Sequence, residues 1–444
     1  MATVETDIQR ENRARIVAYF ESGCAAKGDR YYDDDGFLDR PGYLGVEVEH
    51  FLMRARDEEP LFYEPHDGMP GVRDVLEHLS AYYPDVTRNA AGDILGLANE
   101  SGNVTIEPAA QLEISIAPMA RVRDIARAYN DFRGYVEEFL APYGCAVACQ
   151  GYRPKTKALD MPLIPKQRYA YMDRYFHELG THGERMMRGS ASTQVSIDYF
   201  SESDAVRKFR VGAALAPILA FICDNAPVFE GEKNDVPLAR MALWRDVDPH
   251  RCGVIPGTFG RGFGFEAVAD YLLHNSPIFV TRAKAAHPDD ARVEEVRWVG
   301  DELAMDAYGD APLATEDIEH LISMFWTDVR LKKFVEIRPA DCMPDVGVLG
   351  YAALVKGIFY SPANLTAIED AIGVQGDSWP LSDSSVEVAI SKIRQHGKNA
   401  AVYGHYVYEW VEFLFNMANA SLEEEEAVYL LPLRAHALEG VPFD

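Results

Sequence analysis

The sequence lacks any apolar run long enough to cross a bilayer as a helix, which takes about 20 residues. Its N-terminus, MATVETDIQRENRARIV, also lacks the basic start and apolar stretch of a secretory signal. Cysteine is scarce, and the six cysteines in 444 residues are too scattered to form a disulfide framework. These absences predict a cytoplasmic protein that has no membrane partner.

Positive charge is scarce as well. Lys and Arg together number 43 against 70 Asp and Glu, which gives a formal net charge of -27. A surface of this sign repels phosphate backbones, so nucleic acid is excluded as an expected partner. A small anionic substrate stays compatible with it, because a few arginines and metal ions in one pocket can reverse the local field.

The remaining composition is that of an ordinary globular protein, with 48% hydrophobic and 25% charged residues. We find no internal repeat and no low-complexity linker. The sequence therefore predicts one domain over residues 1–444, with a helical C-terminal portion from about 383 to 444. A monomer or a small homo-oligomer is expected.

Helical spacing of apolar residues marks three longer segments. They are residues 121–140, residues 203–224 with a bend or restart at Pro217, and residues 400–418. These helices alternate irregularly with short strand candidates. This order favours an α+β fold over a doubly wound parallel sheet.

Four short segments alternate between apolar and polar residues with a period of two, which is typical of half-buried strands. In the first of them, Val46 and Val48 point one way while Glu47 and Glu49 point the other way. The four segments are residues 44–51, 111–116, 193–198 and 334–338.

If these strands join one antiparallel sheet, its apolar face rests on helices and its other face collects polar side chains. That face would carry Glu47, Glu49, Glu113, Gln194, Glu336 and Arg338. A half-solvated sheet is the more common cause of such a pattern. The alternative is a functional face, because crowded carboxylates raise each other's pKa unless cations intervene, and Mg²⁺ is commonly held by a few carboxylates together with substrate phosphates.

Six motifs in order along the chain resemble those of the glutamate–cysteine ligase family of plants and many bacteria. The resemblance covers roughly residues 10 to 360. The motifs are GVEVE at 45–49, EPAAQLE at 107–113, PKQRY at 165–169 with Met172, Met186–Met187 followed by TQVSID at 193–198, Arg240 ahead of WRDVDP at 244–249, and VRLKKFVEIRPAD at 329–341.

The resemblance implies a large antiparallel sheet curled into a funnel, with helices packed outside, as in glutamine synthetase. It also implies a reaction in which ATP and two or three Mg²⁺ ions serve to join the γ-carboxylate of glutamate to cysteine. The intermediate would be γ-glutamyl phosphate, and the product, γ-glutamylcysteine, would enter glutathione-type thiol synthesis.

The resemblance further implies roles for single residues. Arg338 and Glu336 would be catalytic, with Arg338 at the phosphate being transferred. Arg240 would bind the carboxylate of glutamate, and Arg168, with Tyr169 beside it, the carboxylate of cysteine. The implied magnesium ligands, or the residues that hold them, are Glu47, Glu49, Glu107, Glu113, Gln194 and Glu336.

The sequence departs from the family pattern at a few positions. Ala109 and Ala110 replace paired glycines, and His50 replaces a lysine. Met241 and Ala242 replace more polar residues after Arg240. None of these changes touches the implied magnesium ligands, and they concern the shape of the amino-acid pockets. Three alternative functions are a ligase that uses an amine other than cysteine, a phosphotransferase related to phosphagen kinases, and a nucleotide sensor without turnover. The full set of Glu47, Glu49, Glu113, Glu336 and Arg338 argues against the sensor.

Overall fold

The computed structural model describes residues 5–24, 42–284 and 293–443. The strands of the described residues are β1 (Leu44–Arg54), β2 (Glu59–Pro60), β3 (Asp85–Arg88), β4 (Ile94–Asn99), β5 (Gly102–Ile106), β6 (Leu112–Met119), β7 (Cys145–Ala148), β8 (Ser192–Ile197), β9 (Val228–Phe229), β10 (Glu232–Lys233), β11 (Cys252–Gly253), β12 (Phe279–Lys284), β13 (Val293–Trp298), β14 (Trp326–Thr327), β15 (Val329–Leu331), β16 (Val335–Asp341), β17 (Ala401–Val402) and β18 (His405–Tyr406).

The α-helices of the described residues alternate irregularly with the strands along the chain. They are α1 (Asp7–Glu21), α2 (Val72–Leu79), α3 (Val122–Leu140), α4 (Gln167–Leu179), α5 (Gly183–Gly189), α6 (Glu202–Ile222), α7 (Ala239–Arg245), α8 (Phe265–Leu273), α9 (Ala304–Ala307), α10 (Thr315–Ile322), α11 (Asp345–Phe359), α12 (Pro362–Ile372), α13 (Asp383–His396), α14 (Val407–Ser421), α15 (Glu424–Ala427) and α16 (Leu430–Glu439).

One large sheet organises the described part of the chain. Its strand order is β15-β16-β8-β1-β6-β5-β4-β3, and β2 and β7 pair with the far end of β1. Every pairing in it is antiparallel. This confirms the predicted α+β class and large antiparallel sheet. The four predicted strands correspond to β1, β6, β8 and β16, which are neighbours in the sheet.

The apolar face of this sheet packs on helices α3, α6 and α11. Val46 and Val48 are fully buried there, together with Val195 and Ile337 of the neighbouring strands. Burying such side chains stabilises a fold by about 1.5–3 kcal/mol each. The alternation predicted for β1 is thereby confirmed, and Glu47 and Glu49 are directed to the opposite face.

Helix α6 continues through Pro217 to Ile222 and does not restart at the proline, so of the two predicted alternatives a bend stays a prediction. The predicted start of helix α14 is wrong. Helix α14 begins at Val407 and not near residue 400, because residues 401–406 form the β17–β18 hairpin. Helices α13 to α16 lie in the C-terminal portion, and the assignment of one domain stays a prediction.

No single helix of the described residues is long and apolar enough to span a bilayer. Helices α11 and α12 meet the length and composition requirement as a pair, but they are bent by 84° relative to each other.

His50, which stands where the family has lysine, is fully buried on the helix side of β1. Its Nδ1 lies 3.1 Å from the carbonyl oxygen of Leu112, and its Nε2 lies 2.7 Å from the hydroxyl of Tyr129. A neutral imidazole satisfies both contacts if Nδ1–H donates to the carbonyl and Nε2 accepts from the hydroxyl. Burial, helped by the charge of Arg133, lowers the pKa of His50 to about 3.

We expect this histidine to make the free energy of unfolding depend on pH. Below about pH 6.5 the unfolded chain protonates His50 while the folded protein does not. Stability from this group is therefore present above pH 6.5 and falls by about 1.4 kcal/mol per pH unit as the pH drops towards 3. In His50→Gln this contribution to the slope should vanish.

Urea unfolding of both proteins between pH 7.5 and pH 4.5 measures the two slopes. His66→Gln is the matched control, because His66 is exposed. Identical slopes in the wild type and His50→Gln would contradict the assignment of a neutral, buried His50.

Candidate active site

A cavity of about 360 Å³ opens on the polar face of the large sheet. The sheet supplies one wall, helices α4, α5 and α7 a second, and the segment before β15 a third. The lining residues are Glu47, Glu49, Glu107, Pro108, Gln111, Glu113, Lys166, Arg168, Tyr169, Met172, Met186, Met187, Ser190, Gln194, Trp244, Ser323, Trp326, Arg330 and Arg338.

Strand register brings the predicted carboxylates together. Glu49 of β1 stands directly opposite Glu113 of β6, and Glu47 stands opposite Gln194 of β8. Directly opposed residues in antiparallel strands have Cβ atoms about 4.5–5.5 Å apart. Glu107 joins them from the turn after β5, so five of the six predicted ligand residues line one cavity.

Hydrogen bonds fix the orientation of these carboxylates. Glu49 accepts from the backbone N–H and the hydroxyl of Ser192, both at 2.9 Å. Glu113 accepts from the Thr105 hydroxyl at 2.8 Å. Glu107 accepts from the Tyr169 hydroxyl at 3.2 Å. Each carboxylate retains lone pairs for a further ligand.

The positively charged side chains near these carboxylates do not balance their negative charge. Burial, with repulsion from Glu107, raises the pKa of Glu49 to about 7. Burial and repulsion from three neighbouring glutamates raise the pKa of Glu113 well above its usual value. Burial and the charge of Glu336 raise the pKa of Glu47. A bound cation would relieve the repulsion among these glutamates, so the cluster favours binding of a cation.

The described residues contain no group of three or more His, Cys, Asp or Glu side chains already arranged to hold a metal ion. The described side chains therefore do not by themselves complete the coordination shell of a metal ion. Hard oxygen donors set apart in this way suit Mg²⁺, which usually takes one or two carboxylates and completes its shell with water and phosphate oxygens. The donor set fits the predicted ion.

Glu336 has surroundings that differ from those of the other glutamates. It is fully buried and does not line the cavity. Arg330 donates to both of its oxygens, at 2.5 and 3.1 Å, and Lys332 and Arg338 donate at 3.1 and 3.0 Å. Burial acts to raise the pKa of Glu336, but these three cations outweigh it and lower the pKa well below its usual value.

Arg338 connects this buried cluster to the cavity. Its guanidinium donates to Gln194 and to Glu336 and reaches the cavity lining. The roles that the resemblance implies for Glu336 and Arg338 stay predictions. The sequence argument missed Arg330, whose pairing with Glu336 across β15 and β16 depends on strand register.

Helix α4 carries the second group of predicted binding residues. Arg168 donates to the hydroxyl and the carbonyl oxygen of Ser323, both at 2.9 Å. Tyr169 is buried, and its hydroxyl also donates to the carbonyl of Ile106 at 3.3 Å. Ser323 was not predicted, since nothing in its local sequence marks it. An apolar wall completes this side and consists of Met172, Met186, Met187, Trp244 and Trp326.

Arg240 is not part of the main cavity lining. Its Nε donates to Asp341 at 2.9 Å, and its Nη2 donates to the carbonyls of Ala340 and Arg338 at 2.7 and 3.1 Å. It borders a smaller adjoining cavity of about 20 Å³ that shares Trp244 with the main one. The structure therefore shows Arg240 holding the end of β16, and contact with glutamate stays a prediction.

The turn between β5 and β6 contains one departure from the family pattern. Ala110 has a φ of 64°, in the left-handed region where glycine is favoured. Gln111 secures this turn, because its side chain accepts from Ala109 N–H and donates to the carbonyls of Met187 and Ser190. The turn holds Glu107 at the cavity despite the alanine.

Known proteins share sequence and fold with this chain. The model of glutamate-cysteine ligase family 2 matches residues 43–394. Chloroplastic glutamate–cysteine ligase of Arabidopsis thaliana is 29% identical over 81% of this chain and 65% of its own length. The Nicotiana tabacum enzyme is 30% identical over 80% of this chain and 64% of its own length. Glutamate–cysteine ligase B of Oryza sativa subsp. japonica is 28% identical over 96% and 81%.

The chain thus spans slightly less than two thirds of the length of the Arabidopsis and tobacco relatives. A solved structure of glutamate–cysteine ligase from Francisella tularensis in complex with AMP has a TM-score of 0.52 to this chain. The two are 11% identical, and the match covers 91% of this chain and 83% of that one, which shows a shared fold.

The cytoplasmic location predicted from the sequence is contradicted by these relatives, which are chloroplastic proteins of plants. That prediction was based on the lack of a secretory signal and of a membrane-spanning run. Neither feature separates the cytoplasm from a plastid, because both compartments hold proteins without them.

Proposed function

The chain belongs to glutamate–cysteine ligase family 2, and we propose that it joins the γ-carboxylate of glutamate to the amine of cysteine while ATP is cleaved to ADP and phosphate. The observation that carries this proposal is the single cavity that combines a carboxylate cluster, an arginine on the buried Glu336 cluster, and a second arginine on helix α4. These three groups suit a metal–nucleotide complex, a phosphoryl group and an amino-acid carboxylate.

A carboxylate has no leaving group, so the reaction needs an activated form of glutamate. In the proposed first step, a γ-carboxylate oxygen attacks the terminal phosphorus of ATP and ADP leaves. In the second step, the neutral amine of cysteine attacks the acyl phosphate, phosphate leaves and the amine loses a proton. Positioning and charge stabilisation supply most of the rate enhancement in such transfers.

The residues of this chain would contribute by binding and orientation. Arg338, held by Glu336 and Gln194, would donate to the equatorial oxygens of the phosphoryl group. Arg168 would bind the carboxylate of cysteine, and the methionine and tryptophan wall would exclude water from the acyl phosphate.

Two or three Mg²⁺ ions are part of the proposal, and when bound they neutralise phosphate charge and orient the phosphates. The side chains that would hold them or their ligands are Glu47, Glu49, Glu107, Glu113, Gln194 and Glu336. The raised pKa values of Glu47, Glu49 and Glu113 support this assignment.

A coupled assay tests the function directly. Purified protein receives ATP, Mg²⁺ and glutamate with a panel of amines, while phosphate release and products are followed. We expect phosphate release to require both glutamate and cysteine, with γ-glutamylcysteine as the product. Equal turnover with an amine unrelated to cysteine, or phosphorylation without amide formation, would replace this function by one of the alternatives above.

Replacing one cluster carboxylate should weaken the response to magnesium. In Glu113→Gln, we expect the Mg²⁺ concentration for half-maximal turnover to rise by about 10-fold or more, since a ligand and its charge are lost. The metal-free variant should melt at a higher temperature than the wild type, because repulsion with Glu49 is relieved.

Thermal melting with and without Mg²⁺, together with magnesium titration of turnover, measures both effects. Glu100→Gln serves as the control, because Glu100 is exposed and lies outside the cavity. An unchanged magnesium requirement in Glu113→Gln would remove Glu113 from the proposed set.

A further inference from the structure

The cationic side chains of the cavity differ in what they contact. On the sheet side, Arg330 and Arg338 both form ion pairs with Glu336. Their charges are therefore largely matched by a carboxylate already present. Any anion that binds there must share these arginines with Glu336.

The side formed by helix α4 has two cations without a carboxylate partner. Arg168 donates to the neutral Ser323. Lys166, at the start of the helix, also lines the cavity, and its ammonium makes no hydrogen bond or ion pair with any of the described residues. Its Nζ lies 5.0 Å from the ring centroid of Tyr169, which fixes its position over the ring face.

Burial makes the charged forms of these two cations costly. Burial lowers the pKa of Lys166, and the charge of Arg168 lowers it further against the attraction of Glu107. Burial also lowers the pKa of Arg168. An anion bound between the two would replace the lost hydration and offset their repulsion.

The position of Lys166 argues for a carboxylate as this anion. Apart from burial, the charges that act most strongly on the pKa of Lys166 are those of Glu107, Arg168 and Glu113, at the β5–β6 side of the cavity. Those that act most strongly on Arg338 belong to Arg330, Glu336 and Glu47, at the β16 side. Under the proposed function the transferred phosphate lies at Arg338, which leaves the Lys166 side of the cavity for the amino acid that attacks the acyl phosphate.

We propose that Lys166 acts with Arg168 to bind the α-carboxylate of the acceptor amino acid, and so selects an amino acid over a simple amine. This inference rests on the proposed function and adds a specificity residue to it. Lys166 lies over the ring of Tyr169 and Arg168 precedes Tyr169 in the chain, and each of the two cations can donate to one carboxylate oxygen. The acceptor amine is thereby directed towards the carboxylate cluster and the acyl phosphate.

The test compares cysteine with cysteamine, which is cysteine without its carboxylate. In Lys166→Met, we expect the KM for cysteine to rise by about 10-fold or more, as for loss of a charge-assisted hydrogen bond. The KM values for cysteamine, glutamate and ATP should stay within about twofold of the wild type. The preference for cysteine over cysteamine should fall accordingly.

Two further variants serve as controls. Lys166→Arg keeps the charge and should retain most of the preference for cysteine. Lys233→Met removes a lysine charge at an exposed position and should leave every KM unchanged. Circular dichroism and the melting temperature establish that each variant is folded.

An unchanged KM for cysteine in Lys166→Met would overturn the inference. So would an equal rise for cysteamine, or a rise confined to glutamate or ATP. A wild-type protein that uses another amino acid in place of cysteine would overturn the acceptor of the proposed function alone. Lys166 is then tested with that amino acid and its decarboxylated form. Inactivity with every amino acid would overturn both.

Discussion

Glu336→Gln is expected to lower turnover by about 100-fold or more and to destabilise the fold as well. The native carboxylate is fully buried and pairs with Arg330, Lys332 and Arg338. Glutamine fills nearly the same volume but removes the carboxylate with which three neighbouring cations form ion pairs. Removing one partner of a buried ion pair typically costs about 3–5 kcal/mol. Arg338 would also lose the contact that orients it.

Steady-state turnover and urea unfolding measure these two effects. Glu232→Gln is the control for the loss of one carboxylate, because Glu232 is exposed on β10. Full turnover in a folded Glu336→Gln protein would contradict the catalytic role given to Glu336. Unchanged stability would contradict the energetic account of the buried cluster.

Arg338→Ala is expected to lower turnover by a similar factor, about 100-fold or more, with little loss of stability. Glu336 keeps its bidentate contact with Arg330 and its contact with Lys332 in this variant. The fold therefore retains a paired carboxylate, whereas under the proposed function the transferred phosphate loses its guanidinium donor. The loss should appear in kcat more than in the KM for glutamate, since the contact is made chiefly in the transition state.

Steady-state kinetics with varied and then saturating glutamate and cysteine measure how the loss divides between kcat and KM. Arg297→Ala provides the control, because Arg297 is exposed and pairs with Glu302 outside the cavity. A variant that keeps its kcat and shows only a higher KM would reassign Arg338 to substrate binding. The contrast in stability between Glu336→Gln and Arg338→Ala separates the structural role of the cluster from its chemical role.

Much of the fold was predictable because its strands carry a strong local signal. The alternation of valine with glutamate in β1 requires only the period of two that any pleated strand imposes. The same period identified β6, β8 and β16. Boundaries at the ends of elements were less predictable, and α14 begins later than expected because a hairpin occupies residues 401–406.

The candidate site was predictable only in part. The motifs identified the carboxylates together with Arg168, Tyr169 and Arg338, and all of these except Glu336 line the cavity. The pairing of Glu336 with Arg330, the contact of Arg240 with Asp341 and the place of Ser323 were not predictable. Each depends on which strands or loops become neighbours, and the sequence spacing does not encode this.

The sequence by itself determined the acidic face of the sheet and, through ordered motifs, the family to which the chain belongs. Side-chain alternation along a strand is a local property, so it can be recognised from a few consecutive residues. Only the tertiary structure decided which charges are paired and which are free. Pairing depends on strand register and on the approach of α4 to the sheet, which left Glu336 neutralised and Lys166 without a partner among the described residues.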